Sequence, residues 1–444
     1  MPELHWLGDQ DAKRAAPMTR TLFLALALAA APFPAGAALE IRLWHAMSGA
    51  QAAEFERLAA RFNASQSAYR VVPSRQGSHD LTLGAALAAL SPLAARVPPH
   101  IVQMDESGAA DLLSRKGVVR PLWQVMAEAR QPLQGKYVPG VAGNFTDAKG
   151  RLIALPLNAS TPVLYYNRDA FLRAHLDPAV APRTWYEMAG TLGALIESGQ
   201  ACGLTASRPA WILLENMSAW HAEPFATRQN GMAGANARLS FNGQLMVRWV
   251  AMLSSWQKSG YFTYAGRENQ ADSRFADGEC AVLVSDSSSY DALRKRSAFV
   301  VAVAPLPYFD DFRAAPQNTL AGGAGLWVLS GRPKPEYAGV ARFIAFLSST
   351  EVQAEWHQRA GYVPLTLAAY ELSRRQGYYA AHPGQEVAVR QLVGKKPTRD
   401  SRGIRLAGLT RIREIIHEEL EAVWSGAKTP LDAVNAAVLR GNRR

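Results

Sequence analysis

Two α/β domains are what this sequence predicts, on three observations. β-type runs alternate with helix-type runs from the first ordered-looking segment onward. The chain has 444 residues, too many for one average domain. Apolar residues make up 48% and charged residues 19%, enough apolar material for real cores and no sign of disorder. Alternation of this kind is the mark of a parallel, doubly wound sheet, whose ligands sit beyond the carboxyl ends of the strands. No internal repeat suggests a solenoid.

Each element has its own justification. Ile41–His45 alternates as a strand, and Ser48 with Gln51 reads as a capping box opening a helix with Phe55, Leu58, Ala59 and Phe62 on one face. Tyr69–Val72 is the next strand, Leu83–Leu90 a helix, and Ile101–Met104 a strand. His45, His79, Asp105 and Glu106 fall at or just after these strand ends. A second unit starts near Ile153–Leu157 and continues through Asn158–Tyr166. Thr184 and Glu187 form a T-x-x-E box at a helix start. Ala281–Val284 is a strand leading into Ser285–Ser289, and the glycine-rich Ala321–Gly325 precedes a strand at Leu326–Leu329. Ile412, Ile415, Ile416, Leu420 and Val423 form a helical stripe ending at Ser425-Gly426, and Thr429-Pro430 opens a last helix.

The amino terminus speaks for export. Leu22–Ala31 is a short apolar run preceded by Arg20, and Ala35-Gly36-Ala37 is a small-x-small cleavage site. Met18 is a natural start for this signal, residues 1–17 then being an upstream extension, and cleavage is expected after Ala37. That removes three basic and three acidic residues, so the mature charge stays +11. No later apolar run is long enough to span a bilayer, and no Cys follows the signal for lipid anchoring. Cys202 and Cys280 are the two cysteines; an oxidising compartment permits a disulfide between them, and spacing leaves disulfide and free thiols both open.

The positive charge is dispersed. Its densest stretch, Lys395, Lys396, Arg399, Arg402, Arg405, Arg411 and Arg413, lacks interleaved aromatics and reads as a solvated basic face, not a nucleic-acid platform. Catalytic motifs are missing: there is no G-x-S-x-G, no H-E-x-x-H, and neither Gly135-Lys136 nor Gly394-Lys395 is followed by Ser or Thr. His417-Glu418 reads as an exposed helix face, and the two cysteines do not make a zinc site. No metal, no cofactor and no catalytic residue is therefore expected.

The stretch Ser160–Phe171, with Leu176–Pro178 and Thr184-Trp185, resembles the family 1 extracellular solute-binding proteins, whose fold is maltose-binding-protein-like. Leu43–Met47, Trp211–Asn216, Ala315–Asn318, Gly322-Gly323, Leu326–Val328, Glu355–Gln358, Gly361–Pro364 and Glu418–Trp424 are similar to the glycerol-3-phosphate-binding branch of that family, across essentially the whole mature chain. The resemblance implies a two-lobed periplasmic binding protein with its ligand cleft between the lobes. Residues 38–158 plus 320–364 would form the first lobe, and 159–319 plus 365–444 the second.

It also implies a periplasmic, monomeric, non-enzymatic component of an ABC importer, delivering glycerol-3-phosphate or glycerophosphodiesters to membrane permease subunits and their ATPase, with no nucleic-acid partner. An oligosaccharide carrier of the same fold and a periplasmic phosphodiesterase are the alternatives. Residue by residue, Glu106 stands at the family's carboxylate for glycerol hydroxyls, Ser160 at its serine, Gly323 at its backbone donor, Tyr362 at its tyrosine, Arg413 at its arginine and Trp211 at one of its two wall tryptophans. The types suit a phosphoglycerol: an Arg fork matches phosphate oxygens, hydroxyls and backbone N–H complete the shell, and an indole covers the carbon edge.

Three positions depart from the pattern: His79 replaces a tyrosine, Arg208 the second tryptophan and Asp286 a serine. An ionised Asp286 about 5 Å from a phosphate charge costs roughly 3 kcal/mol at an effective dielectric near 20. Arg208 is the expected counter-charge, or a cationic head group on a diester.

Overall fold

The computed structural model describes residues 37–443 except 92 and 94–96, so the expected export signal, its upstream extension and start codon lie outside the described residues apart from Ala37. Ten strands follow in chain order: β1 (Leu39–His45), β2 (Tyr69–Arg75), β3 (Ile101–Asp105), β4 (Leu155–Ser160), β5 (Pro162–Asn167), β6 (Cys202–Ala206), β7 (Phe262–Thr263), β8 (Cys280–Asp286), β9 (Val301–Ala304) and β10 (Gly322–Val328). They form two sheets, β2-β1-β3-β10-β4 and β7-β6-β8-β5-β9, each the centre of one lobe.

The expectation of purely parallel sheets is corrected. β1 runs parallel to β2 and β3, but β10 is antiparallel to both β3 and β4. In the second sheet β6 is parallel to β7 and β8, and β5 is antiparallel to β8 and β9. Parallel neighbours need a crossover of a dozen or more residues. Only Thr161 separates β4 from β5, so the chain passes directly from one sheet to the other. β10 enters the first sheet from the second lobe, and that crossing sets its direction. The two crossings touch: buried Thr161 Oγ1 lies 2.6 Å from Thr319 Oγ1 and 3.0 Å from the Leu320 carbonyl. β4 continues to Ser160, two residues past the 158/159 boundary read from the sequence.

Helices cover both sheets. The first core joins Ile41, Leu43, Leu326 and Val328 to Phe55, Leu58 and Phe62 of α1 (Gly49–Ala64) and to Phe343 and Trp356. The second packs Leu204, Val282 and Val284 against Trp185, Trp249, Ile412 and Ile416. Cys202 and Cys280 are register partners on β6 and β8 and form a disulfide, settling the alternative the spacing left open.

The Thr184–Glu187 capping box is present in full. The Ser48–Gln51 box is not: Ser48 caps α1 without a side-chain bond, and the Gln51 side chain turns toward the Tyr362 hydroxyl. The glycine-rich segment lies inside β10 and does not merely precede it. A Cβ on Gly323 (φ +131) would stand 2.1 Å from the Asn158 carbonyl, and one on Gly322 2.7 Å from the Trp211 ring. Among the described residues no helix is long and apolar enough to cross a membrane.

Candidate functional site

A cavity of about 560 Å³ opens between the lobes, within the usual range for small-molecule sites. His79, Glu106, Ser160, Arg208, Trp211, Asp286, Gly323, Tyr362 and Arg413 all line it. The structure thus brings together every ligand residue expected from the sequence.

On the first-lobe wall, His79 begins α2 (His79–Ala89), which Ser78 caps by accepting from the Leu81 amide at 3.2 Å. Glu106 begins α3 (Glu106–Ser114), directly after β3, and Asp105 caps it by accepting from the Gly108 amide at 2.9 Å. A carboxylate in a helix's first turn meets the positive end of the dipole. Glu106 Oε2 accepts from the Gly323 amide at 3.3 Å. Asn158 Nδ2 donates to Tyr362 Oη at 2.9 Å; burial pushes the Tyr362 phenol up to about 12, so its own proton stays available to donate.

On the second-lobe wall, Trp211 sits in a π-helical turn, Ala210–Glu215, a wide turn often found at functional sites. Arg208 adopts a left-handed backbone (φ 42), which three bonds hold. Its amide donates to the Glu268 carbonyl at 3.0 Å, its Nε to Asn269 Oδ1 at 3.2 Å and its Nη1 to Asp286 Oδ2 at 3.4 Å. Asp286 also accepts from Ser160 Oγ at 2.8 Å, across the lobes, and from the Ser288 amide at 2.8 Å. The expected counter-charge is therefore in place, with the Arg208 guanidinium 5.7 Å from the Trp211 ring centroid.

At the floor, Arg413 projects from the Leu409–Trp424 helix into a clamp of two carboxylates. Its Nε and Nη2 donate to Glu215 at 2.7 and 2.8 Å, and Nη2 also to Glu106 Oε1 at 2.9 Å. Burial pushes Glu215 above the ordinary carboxylate range and outweighs the pull of Arg413. Burial also acts upward on Glu106, but Arg413, the amide of Glu106 itself and the Gly323 amide bring it below that range. Burial opposes the charge of Arg413, and the two carboxylates more than offset it.

Three expectations need correcting here. His45, the last residue of β1, is buried with its ring centroid 6.1 Å from that of Phe55, and it is not among the residues lining the cavity. His417 is not on an exposed face: it is 7% exposed, lines the cavity and accepts from the Ala210 amide at 3.2 Å. Burial lowers its pKa to about 4, which keeps Nε2 free to accept. The basic stretch is not one solvated face either, since Arg405 donates to the Asn144 and Thr146 carbonyls at 2.9 Å and Arg413 lies in its clamp.

Glu215 is the residue sequence reasoning missed. Its signal was a lone carboxylate after the apolar run Trp211–Leu214, where burial demands a partner. Ser160 Oγ donates to the Asp286 carboxylate, and His417 accepts from a backbone amide. Among the described residues no cluster of His, Cys, Asp and Glu could hold a metal ion. What the site offers is an arginine edge, hydroxyls, a backbone donor and an indole wall.

The chain is similar to known proteins in family and fold. The family model of bacterial extracellular solute-binding proteins matches residues 57–383. The sn-glycerol-3-phosphate-binding periplasmic protein UgpB of Yersinia pseudotuberculosis is 43% identical over 408 residues, covering 91% of this chain and 92% of that protein. UgpB of Salmonella typhimurium is 43% identical over 405 residues, with the same coverages. Among solved structures, the cyclic alpha-maltosyl-1,6-maltose binding protein of Arthrobacter globiformis superposes with a TM-score of 0.74 at 19% identity, covering 91% of this chain and 98% of that one. UgpB of Mycobacterium tuberculosis in complex with glycerophosphocholine gives 0.72 at 21% identity, covering 90% and 97%. These likenesses establish the expected two-lobed, maltose-binding-protein-like fold.

Proposed function

This chain belongs to the bacterial extracellular solute-binding proteins, and on that premise we propose that its cleft captures a phosphorylated glycerol for an ABC importer. The ligand is sn-glycerol-3-phosphate or a glycerophosphodiester, bound by lobe closure and released unchanged to permease subunits and their ATPase. One observation carries this reading: residues 79, 106, 160, 208, 211, 286, 323, 362 and 413, far apart in the chain, line a single cavity with an arginine edge at its floor. The relatives named above are periplasmic glycerol-3-phosphate binders. Export to the periplasm follows from the signal-like amino terminus. The chain acts as a monomer without nucleic acid, its lobes divided at the two strand crossings near 160 and 320.

In this reading the Nη1 edge of Arg413 and the Tyr362 hydroxyl donate to phosphate, Glu106 accepts from glycerol hydroxyls, and Trp211 covers the carbon edge. A ligand of about ten heavy atoms at up to roughly −1 kcal/mol per atom reaches sub-micromolar affinity. The site is read as one that binds and does not turn over, in keeping with the solute-binding family to which the chain belongs.

The test is equilibrium dialysis of the mature protein against glycerophosphocholine, with the ligand recovered and analysed. Saturable retention of intact ligand is expected. Release of free choline would make the protein a phosphodiesterase, and retention of maltooligosaccharides alone would make it a sugar carrier.

A further inference from the structure

We propose that Asp272 is a positioning residue of this cleft: without lining the cavity itself, it holds in place the turns that carry Arg208, Asp286 and Ser288 to the ligand. The inference rests on the phosphoglycerol reading above.

Three serines donate to this one carboxylate. Ser207 Oγ and Ser285 Oγ each reach Asp272 Oδ1 at 2.6 Å, and Ser289 Oγ reaches Oδ2 at 2.7 Å. Such lengths belong to hydroxyl bonds onto an ionised carboxylate, which only accepts. Each serine stands beside a cavity residue: Ser207 precedes Arg208, Ser285 precedes Asp286, and Ser289 follows Ser288. β6 and β8 are parallel neighbours whose register runs to Ala206 and Val284, so Ser207 and Ser285 lie at the carboxyl ends that face the cleft. Asp272 thus ties together two adjacent strand ends and the turn that follows the second. The serine run takes its order from these bonds. Ser285 and Ser289 face Asp272, Ser287 Oγ accepts from the Thr161 amide at 3.1 Å at the crossing between the sheets, and Ser288 is left to the cavity.

Arg208 shows why the tie is needed. Its left-handed backbone (φ 42) is strained for a residue with a Cβ and persists only where the surroundings fix it. Before it, the Ser207 amide donates to the Val284 carbonyl at 3.1 Å. The Arg208 amide donates to the Glu268 carbonyl and its Nε to Asn269, the N-cap of the Gln270–Ala276 helix that carries Asp272. One short segment, 268–272, therefore brackets the base of the Arg208 side chain, while the guanidinium stays half-exposed at the cavity. Ser207 and Ser285 are fully buried, so without Asp272 their hydroxyls lose a partner in a dry place and the turn loses its side-chain anchor.

The experiment is calorimetry with sn-glycerol-3-phosphate and with glycerophosphocholine on a double-mutant cycle of Asp272→Asn and Arg208→Gln. Asn keeps the size of Asp but presents one accepting oxygen in place of two. Asp272→Asn should weaken the tighter-binding probe about tenfold. In the Arg208→Gln background the same change should cost about threefold or less, because the residue through which Asp272 chiefly acts is gone. An anchor that served only the fold would cost the same factor in both backgrounds. That result, or a loss under about threefold on Asp272→Asn alone, overturns the proposal. If Asp272→Asn does not fold, as its melting curve reports, Ser207→Ala takes its place in the cycle. It removes only the bond beside Arg208 and should cost about fivefold alone, and an equal loss in both backgrounds again overturns the proposal. If neither probe binds the unmodified protein, the phosphoglycerol reading fails and the proposal with it.

Discussion

The cleft holds two versions of one interaction. At its floor Arg413, 21% exposed, is gripped by Glu215 and Glu106, 1% and 12% exposed, at 2.7–2.9 Å. Near its rim Arg208, 43% exposed, reaches Asp286 through one contact of 3.4 Å. Both are arginine–carboxylate pairs, and water access separates them. A buried pair gains little net stability by existing, yet breaking it leaves an uncompensated charge in a dry place. A half-solvated arginine can leave its partner at small cost. The floor is thus a fixed template, and the rim arginine is free to re-aim toward a ligand.

The comparison breaks most visibly at Arg413. Arg413→Met strips the cation from two buried carboxylates, so urea denaturation should show a loss of about 3–5 kcal/mol. Phosphoglycerol affinity should fall by about 2–5 kcal/mol in the same protein. A stability change under about 1 kcal/mol would place the floor in the same class as the rim.

A smaller effect comes from the histidines kept neutral by burial. His221, His357 and His417 have pKa values lowered by burial to about 4. In the unfolded chain they titrate near 6.5. Between those values the unfolded state binds more protons, so stability is present above about pH 6.5 and declines as pH falls toward about 4. Each unit of depression is worth about 1.4 kcal/mol. His417→Gln should remove about 1–3 kcal/mol of that decline, read from denaturation midpoints across the window. An unchanged slope would mean that His417 accepts no proton on unfolding and the floor is wetter than its geometry says.

The smallest effect belongs to the rim. Arg208→Gln should change stability by less than about 1 kcal/mol, because the 3.4 Å contact is long and the donors Ser160 and the Ser288 amide remain for the buried Asp286. A loss approaching that of Arg413→Met would erase the distinction between the two pairs.

Much of this was legible in the residues, for physical reasons. Periodicity reports local geometry, so the stripe from Ile412 to Val423 and the strand at Ala281–Val284 stand where the pattern puts them. Strand direction is not local, and nothing in Leu326–Val328 says that β10 runs against its neighbours. Caps are read from pairs of residue types, so the box at Thr184 holds while Gln51 turns to Tyr362, a contact no window contains. The nine cavity residues were reached through resemblance to a family, since Arg413 alone has the look of a surface charge. Glu215, lacking an assigned role there, was passed over although its apolar setting required a partner. His417 was misplaced because i, i+3 spacing cannot tell which helix face meets a cavity built by another lobe.

The central claim is that this cleft is built for a phosphoglycerol. Isothermal titration of the mature protein with glycerol-3-phosphate and glycerophosphocholine, each against maltose, tests it most directly. The account predicts saturable one-to-one heat with at least one phosphoglycerol, at sub-micromolar to micromolar affinity, and none with maltose. Saturable heat with maltose and none with either phosphoglycerol would contradict it.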